Sequence, residues 1–137
     1  MPVDPTIKSY HCLDLVLGLY EAYEQNAELV LLVDSACNLC EGPGFNIFVL
    51  KGNTLSTPQS GVLQGLEVQR RDVTPAMAMQ ADELFVTSTA GGPMPLTELN
   101  GQPVGGGAVA GEPGPATEKI IAAYWALHDD LAYAEVV

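Results

Sequence analysis

The sequence has few basic residues. Lysine and arginine together number 5 against 17 aspartates and glutamates, which gives a formal net charge of −12. A surface of this sign repels phosphate backbones and anionic lipid headgroups. We therefore expect no nucleic-acid partner and no membrane partner, and an anionic cofactor would have to be bound by a local arrangement of hydrogen-bond donors.

Long apolar runs and a basic leader are also lacking. No apolar stretch approaches the roughly 20 residues of a membrane span, and the N-terminal residues have neither the basic nor the apolar region of a secretory signal. The 3 cysteines are an odd number, which argues against a secreted disulfide framework. These absences predict a cytoplasmic protein.

Two of the cysteines, Cys37 and Cys40, have the spacing of a redox motif. A thioredoxin-like site places its thiols at a helix N-terminus, which lowers their pKa, whereas this pair follows a predicted strand. A zinc site would need a second pair of ligands, and only His11, Cys12 and His128 are left to supply it. We predict that Cys37 and Cys40 are small, half-buried hairpin residues and that no metal is bound.

The 137 residues, 47% of them hydrophobic, suffice for one domain with a core. Apolar residues at helical spacing predict an amphipathic helix over 10–23, and Pro115 marks the start of a closing helix that packs on the sheet. A short helix is predicted at 74–81, a Gly-rich loop at 104–114, and strands at 28–33, 46–50, 54–57, 67–72, 83–87 and 95–99. Because strands and helices do not alternate strictly, we predict an α+β fold with a curved mixed β-sheet.

Lys8 and Glu41 indicate a cofactor. Lys8 precedes the first predicted helix, and Glu41 opens a glycine-flanked segment. An amine forms a Schiff base with an aldehyde, and an anion beside a pyridine nitrogen lets the ring accept electrons. These residues are therefore suited to the two ends of pyridoxal 5'-phosphate (PLP), although a surface lysine and a solvated acid stay open as alternatives. The other lysines, Lys51 and Lys119, are predicted in a hairpin turn and on the exposed face of the last helix.

Five segments in order resemble the class IV (fold-type IV) PLP-dependent aminotransferases, in particular their C-terminal cofactor-binding domain. The segments are 7–14, 34–46, 57–66, 81–92 and 111–125. This family includes branched-chain and D-amino-acid aminotransferases, (R)-selective amine transaminases and aminodeoxychorismate lyases. The resemblance covers nearly the whole chain, and it implies a pseudo-barrel-like curved sheet with packed helices and a homodimer.

The resemblance implies roles for three side chains. Lys8 would form the Schiff base and then move the proton between substrate and cofactor, which requires a neutral amine. Glu41 would keep the pyridine nitrogen protonated. Gly42 and Gly44 would let the backbone approach the flat ring closely, and Asn46 would offer a side-chain amide beside it.

The resemblance also implies roles for backbone amides. It places the cofactor phosphate on the backbone amides and hydroxyl of Gly65, Leu66 and Thr89, and exposed N–H groups at a turn or a helix start suit a dianion. It places a substrate carboxylate on the turn formed by Thr89, Ala90 and Gly91.

The chain also departs from the family pattern. After Leu66 the family has a Thr-Arg pair that opens a helix, whereas here Glu67 follows at once, so that one helix of roughly a dozen residues is expected to be absent. The smaller N-terminal domain, with its phosphate-binding arginine, has no counterpart before Met1, and Arg70 and Arg71 are predicted to lie on a strand. We therefore expect residues 1–137 to be the C-terminal PLP-binding domain alone.

The function that the resemblance implies is PLP-dependent transamination between an amino acid or primary amine and a 2-oxo acid or ketone, by a ping-pong route. One alternative is a PLP-dependent lyase of the aminodeoxychorismate lyase type, which releases pyruvate without an amino acceptor. The other is a non-catalytic truncated domain, for which Lys8 would be dispensable. Segments 42–46 and 90–95 resemble the amine and D-amino-acid transaminases more than the branched-chain enzymes.

Overall fold

The computed structural model of the protein describes residues 12–58, 67–105 and 111–128. Within these ranges the chain forms, in order, α1 (Leu13–Glu24), β1 (Glu41–Gly42), β2 (Phe45–Lys51), β3 (Thr54–Thr57), β4 (Glu67–Arg70), α2 (Pro75–Met79), β5 (Glu83–Ser88), β6 (Gly92–Leu96), β7 (Glu98–Leu99), β8 (Gln102–Pro103) and α3 (Pro115–His128). No helix in these ranges is long and apolar enough to cross a membrane.

A curved mixed sheet forms the centre of the fold. Its strands lie in the order β4-β3-β2-β5-β6, and β1 pairs with the first residues of β2. The β3–β4 pair is parallel, and the other pairs of this sheet are antiparallel. β7 and β8 form a separate hairpin. The predicted α+β class with a curved mixed sheet is confirmed.

Local sequence explains most of these elements. The β2–β3 hairpin turns at Gly52, whose φ of 58° favours glycine. The α2 helix begins with Pro75 in its first turn, and the Thr74 hydroxyl accepts a hydrogen bond from the Met77 amide at 3.2 Å. The predicted strands at 46–50, 54–57, 67–72 and 83–87 and the helix at 74–81 are confirmed within a few residues.

The sheet has an apolar cluster on each face because side chains alternate along each strand. One cluster, under α2, includes Ile47, Val49, Leu84, Val86 and Ala78. The other cluster is formed by Phe48, Leu50, Leu55 and Phe85, against which Ala116 and Ile120 of α3 pack. The predicted packing of the closing helix on the sheet is confirmed, since α3 contacts β5 and β6.

Two predictions about elements need correction. The segment 28–33 is not a strand of the sheet, because only its end has partners: Val33 forms an isolated bridge with Leu39, and the Leu32 amide donates to the Glu41 carbonyl at 3.0 Å. The predicted strand at 95–99 is interrupted at Thr97, between β6 and β7.

The helix predicted at 10–23 is confirmed within the described residues as α1, Leu13–Glu24. Its large side chains, which the periodicity would place against a core, are exposed: Leu13 65%, Val16 45%, Leu17 56%, Tyr20 65% and Tyr23 58%. The small residues do pack, since Ala22 is buried and Gly18 lies against Val30 and Leu32. The predicted start of the helix after Lys8 lies outside the described residues, as does the 106–110 part of the Gly-rich loop.

Candidate functional site

Five predicted site residues lie at one end of the sheet: Glu41, Asn46, Thr89, Ala90 and Gly91. Because β2 is antiparallel to β5, the start of β2 lies beside the end of β5. Asn46 is the second residue of β2, and Thr89–Gly91 directly follow the end of β5. We term this edge the Asn46 end of the sheet.

A row of three polar residues crosses the sheet at this end. Glu41 on β1 is the register partner of Asn46 on β2, and Asn46 is the register partner of Thr87 on β5. Directly opposed residues on antiparallel strands point to the same face, with Cβ atoms about 5 Å apart. A carboxylate, an amide and a hydroxyl are therefore presented side by side. No local sequence signal assigns Thr87 to this row, because only the register brings it beside Asn46.

The Glu41 carboxylate is exposed and available. Its backbone is fixed by the bond from Leu32 and by the pairing with Asn46. Among residues 12–58, 67–105 and 111–128 the carboxylate has no hydrogen-bond or ion-pair partner. An acid held on a paired strand with its oxygens unengaged can accept a proton or a hydrogen bond from a ligand.

The glycines beside Glu41 have structural reasons of their own. A Cβ on Gly42 would overlap the Phe45 ring and lie 2.5 Å from the Val30 carbonyl oxygen. Gly44 has a φ of 81° in the turn between β1 and β2, with open space where a Cβ would be. Both glycines are thus explained by packing and turn geometry, without the close approach of a cofactor.

The turn after β5 presents backbone amides. The Gly91 amide donates to the Ser88 hydroxyl at 2.9 Å, so this donor is already engaged. The amides of Thr89 and Ala90 donate to no acceptor among the described residues, and both residues are exposed. Ser88 orders the turn from inside, a role that its position in the sequence did not indicate.

The loop that contains the two cysteines is ordered by Asp34. Its Oδ1 accepts from the Asn38 amide at 2.9 Å and the Ala36 amide at 2.8 Å, and the Asn38 amide in particular holds the pKa of Asp34 below its ordinary value. Cys37 is exposed, which contradicts the prediction, and Cys40 is half-buried as predicted. Burial, followed by the charges of Asp34 and Glu41, raises the pKa of the Cys40 thiol, which disfavours the reactive thiolate.

The remaining predicted site residues, Lys8, Gly65 and Leu66, lie outside the described residues. Lys51 at its hairpin turn and Lys119 on α3 are both exposed, as predicted. Arg70 ends β4 as predicted, while Arg71 lies just beyond it, and its amide donates to the Thr57 carbonyl at 3.2 Å. In the described part of the chain, no group of three or more His, Cys, Asp or Glu side chains is placed to hold a metal.

Two cavities among the described residues lie away from the Glu41 row. One, of about 280 Å³, lies between the start of β5 and the N-terminus of α3 and is lined by several acids, among them Glu83, Glu112 and Glu118. The other, of about 320 Å³, lies between β3, β4 and α2. Neither includes Glu41, Asn46 or the Thr89–Gly91 turn.

Comparison with solved structures gives the class of this fold. A T.th. branched-chain amino acid aminotransferase complexed with N-(5'-phosphopyridoxyl)-L-glutamate superposes with a TM-score of 0.76 at 25% identity, over 88% of this chain and 46% of that one. The curved mixed sheet with its helices is therefore shared with a PLP-dependent enzyme.

Sequence comparison gives the family. The family model described as amino-transferase class IV matches residues 1–99. The chain is 31% identical over 127 residues to a branched-chain-amino-acid aminotransferase of Pseudomonas aeruginosa, which covers 82% of this chain and 40% of the relative. It is 33% identical over 131 residues to the D-alanine aminotransferase of Bacillus licheniformis, covering 83% and 44%. The chain belongs to the class IV aminotransferases, and it spans less than half the length of these two relatives.

Proposed function

We propose that this chain is the cofactor-binding part of a PLP-dependent aminotransferase that transfers an amino group between an amino acid or primary amine and a 2-oxo acid or ketone. The observation that carries the proposal is the Glu41–Asn46–Thr87 row beside the Thr89–Gly91 turn, in a member of this family. The row offers an anion and hydrogen-bonding side chains. The turn offers the amides of Thr89 and Ala90, for which the described part of the chain provides no acceptor. These are the groups that a pyridinium ring and an anion require.

We further propose that residues 1–137 correspond to the C-terminal domain of the relatives. We also propose that this chain lacks the helix that the family has after the position of Leu66. The parallel β3–β4 pair supports this proposal, because a parallel connection usually needs a dozen or more residues, whereas nine residues separate Thr57 from Glu67. The alignment with the D-alanine aminotransferase runs over 131 residues yet includes only 83% of this chain, which supports a gap within it.

The residues present fit PLP in their chemistry. When bound, PLP supplies an aldehyde that takes up the amino group and a pyridine ring that accommodates negative charge. The proposed groups are Lys8 for covalent attachment, Glu41 and Asn46 beside the ring, and Gly65, Leu66 and Thr89 for the phosphate. The Glu41 carboxylate has no hydrogen-bond or ion-pair partner within the described ranges, which supports its part, since such a carboxylate can hold a proton on a ring nitrogen.

The substrate would be held by its carboxylate on Thr89, Ala90 and Gly91. The amides of Thr89 and Ala90, which donate to no acceptor among the described residues, support this role, and the bond from the Gly91 amide to Ser88 would order the turn before the substrate arrives. The ε-amine of Lys8, in its neutral form, would take the proton from the substrate carbon and deliver it to the cofactor carbon. A homodimer in the cytoplasm completes the proposal, and the mass in sedimentation tests the dimer.

The test is covalent retention of PLP at Lys8. We expect the purified protein mixed with PLP to develop a visible absorption band, and borohydride to fix the cofactor on Lys8, as located by peptide mass. Lys8→Ala should lose both signals, since a Schiff base needs the amine. Lys119→Ala is the matched control, because Lys119 is an exposed lysine of α3, and it should behave as the parent protein does.

Other outcomes would point elsewhere. Free-PLP spectra for the parent protein and for Lys8→Ala alike would contradict the cofactor site and favour a non-catalytic domain. Release of pyruvate from an amino substrate without an amino acceptor would favour the lyase.

A further inference from the structure

The Thr89–Gly91 turn returns to the sheet at a glycine that supports an aromatic ring. Gly92 has a φ of 63°, a left-handed conformation that favours glycine. A Cβ on Gly92 would lie 2.6 Å from Cε1, 2.9 Å from Cδ1 and 3.2 Å from Cζ of Tyr124. The ring of Tyr124 therefore fills the space where any other residue at this position would place its side chain.

Helix α3 is fixed so that Tyr124 reaches this point. Its first turn is bonded to Glu83 at the start of β5, while Gly92 is the register partner of Ser88 at the end of β5. Tyr124 follows Pro115 by nine residues, about 13.5 Å of helix, which is comparable to the roughly 17 Å of the five-residue step along β5. The Trp125 ring meets that of Tyr124 edge-on, with centroids 5.2 Å apart and planes at 84°.

The turn is thus held at both ends. Ser88 bonds the Gly91 amide from inside, and the Tyr124 ring limits the movement of Gly92. The amides of Thr89 and Ala90 donate to no acceptor in the described ranges, and their directions depend on the backbone dihedrals of this short segment. A rotation at Gly92 would change these directions.

We propose that Tyr124 is a positioning residue: its ring holds Gly92, and through it the Thr89–Gly91 turn, in the conformation that receives the carboxylate of an amino acid or 2-oxo acid. This inference rests on the proposed function for the identity of the ligand. Its structural part, the support of the turn by the ring, stands on the contact between Tyr124 and Gly92.

The first arm of the test needs no cofactor. Amide hydrogen exchange of Gly91 and Gly92 is measured in the full chain for the parent protein, Tyr124→Phe, Tyr124→Leu and Tyr124→Ala. We expect Tyr124→Phe to match the parent protein, and Tyr124→Leu and Tyr124→Ala to exchange about tenfold faster at these amides. Tyr124→Leu keeps apolar volume should Tyr124→Ala fail to fold. Leu127→Ala is the control, since Leu127 is a 52% exposed residue of the same helix.

The second arm measures ligand binding with the PLP-loaded protein and 4-methylvalerate, a monocarboxylate without an amino group. We expect Tyr124→Leu to raise the Kd of the carboxylate about tenfold and to leave the Kd of PLP within about twofold, with Tyr124→Phe restoring the parent value. A general loss of structure in Tyr124→Leu would instead raise both the Kd of the carboxylate and the Kd of PLP.

Several results would overturn the inference. These are equal exchange at Gly91 and Gly92 in all variants, equal impairment of Tyr124→Phe and Tyr124→Leu, and an unchanged Kd of the carboxylate in Tyr124→Leu. Failure of the parent protein to bind PLP would reject the proposed function separately, because the exchange measurement still decides whether Tyr124 holds the turn.

Discussion

At the scale of single residues, Asp82 connects the β2–β3 turn to the segment that precedes β5. Its side chain accepts from the Gly52 amide at 2.7 Å and from the Lys51 ammonium, while its own amide donates to the Leu50 carbonyl at 2.8 Å. The β2–β3 turn is thereby tied to the start of β5. The Gly52 amide, and after it Lys51, hold the pKa of Asp82 below its ordinary value.

This pKa shift predicts a pH dependence. Because the pKa is lower in the folded state, the stabilisation is complete above the unfolded value of about 3.9 and is lost as the pH falls through the folded value. We expect Asp82→Asn to cost less than about 1 kcal/mol at neutral pH, since the pair is exposed to solvent, and this cost to shrink below about pH 4. The measurement is thermal unfolding of both proteins at a series of pH values. The exposed Asp72→Asn removes the same charge, and an identical pH profile for it would assign the effect to net charge.

The surroundings of Cys37 and Cys40 also argue against a redox role for this pair. Spacing alone allowed a redox pair, but Cys37 is exposed and Cys40 has a raised thiol pKa. Burial and two nearby carboxylates disfavour the thiolate that thiol exchange requires. The sequence shows the spacing, whereas burial and the neighbouring charges come from the folded loop.

At the scale of elements, helix α3 receives its N-terminal cap from a strand. Glu83 accepts from the Ala116 amide at 3.0 Å and from the amide and hydroxyl of Thr117, both at 2.7 Å. The amides in the first turn of a helix have no intrahelical partners, and a carboxylate placed there also interacts favourably with the helix dipole. Gly114 leaves room for this contact, since a Cβ there would lie 2.6 Å from the Glu83 Oε1.

We predict that Glu83→Ala lowers the free energy of unfolding by about 1–3 kcal/mol, because it leaves the Ala116 and Thr117 amides without an acceptor. Glu83→Gln should lose less, since its amide oxygen can still accept one of these bonds. The urea midpoint measures the change, and the exposed Glu98→Ala serves as the control. Equal midpoints for Glu83→Ala and Glu98→Ala would show that the cap does not stabilise the helix.

At the scale of the whole molecule, the core lies in the sheet and not around α1. The two clusters on the faces of the sheet contain side chains with no measurable exposure, such as Ile47, Leu55 and Phe85 at 0%, whereas Leu17 of α1 is 56% exposed. Apolar periodicity alone would rank α1 among the core helices. In the folded chain, the large apolar side chains of α1 are instead exposed to solvent.

This distribution predicts unequal effects of the same substitution. Leu55→Ala should cost about 2–5 kcal/mol of unfolding free energy, because it leaves a cavity between Phe48, Phe85 and the strand. Leu17→Ala should change it by no more than about 0.5 kcal/mol, as surface substitutions do. Urea unfolding followed by the fluorescence of Trp125, the 1 tryptophan of the chain, measures both. Comparable losses in the two variants would show that the apolar face of α1 is covered.

The sequence by itself determined the family and most of the elements. Ordered motifs indicated the class IV aminotransferases, and alternation, turn residues and Pro115 located β2, β3, β5 and α3, since each of these signals acts within a few residues. The sequence could not show that segment 28–33 stays outside the sheet or that the large side chains of α1 are exposed. Both depend on which other segments of the folded chain pack against them.

Only the tertiary structure decided which residues meet. The row of Glu41, Asn46 and Thr87, the cap from Glu83 to α3 and the contact between Tyr124 and Gly92 join residues that are distant in sequence. Such contacts depend on strand register and on the placement of a helix across the sheet. A shift of register by one residue would turn Asn46 to the other face without changing any local pattern.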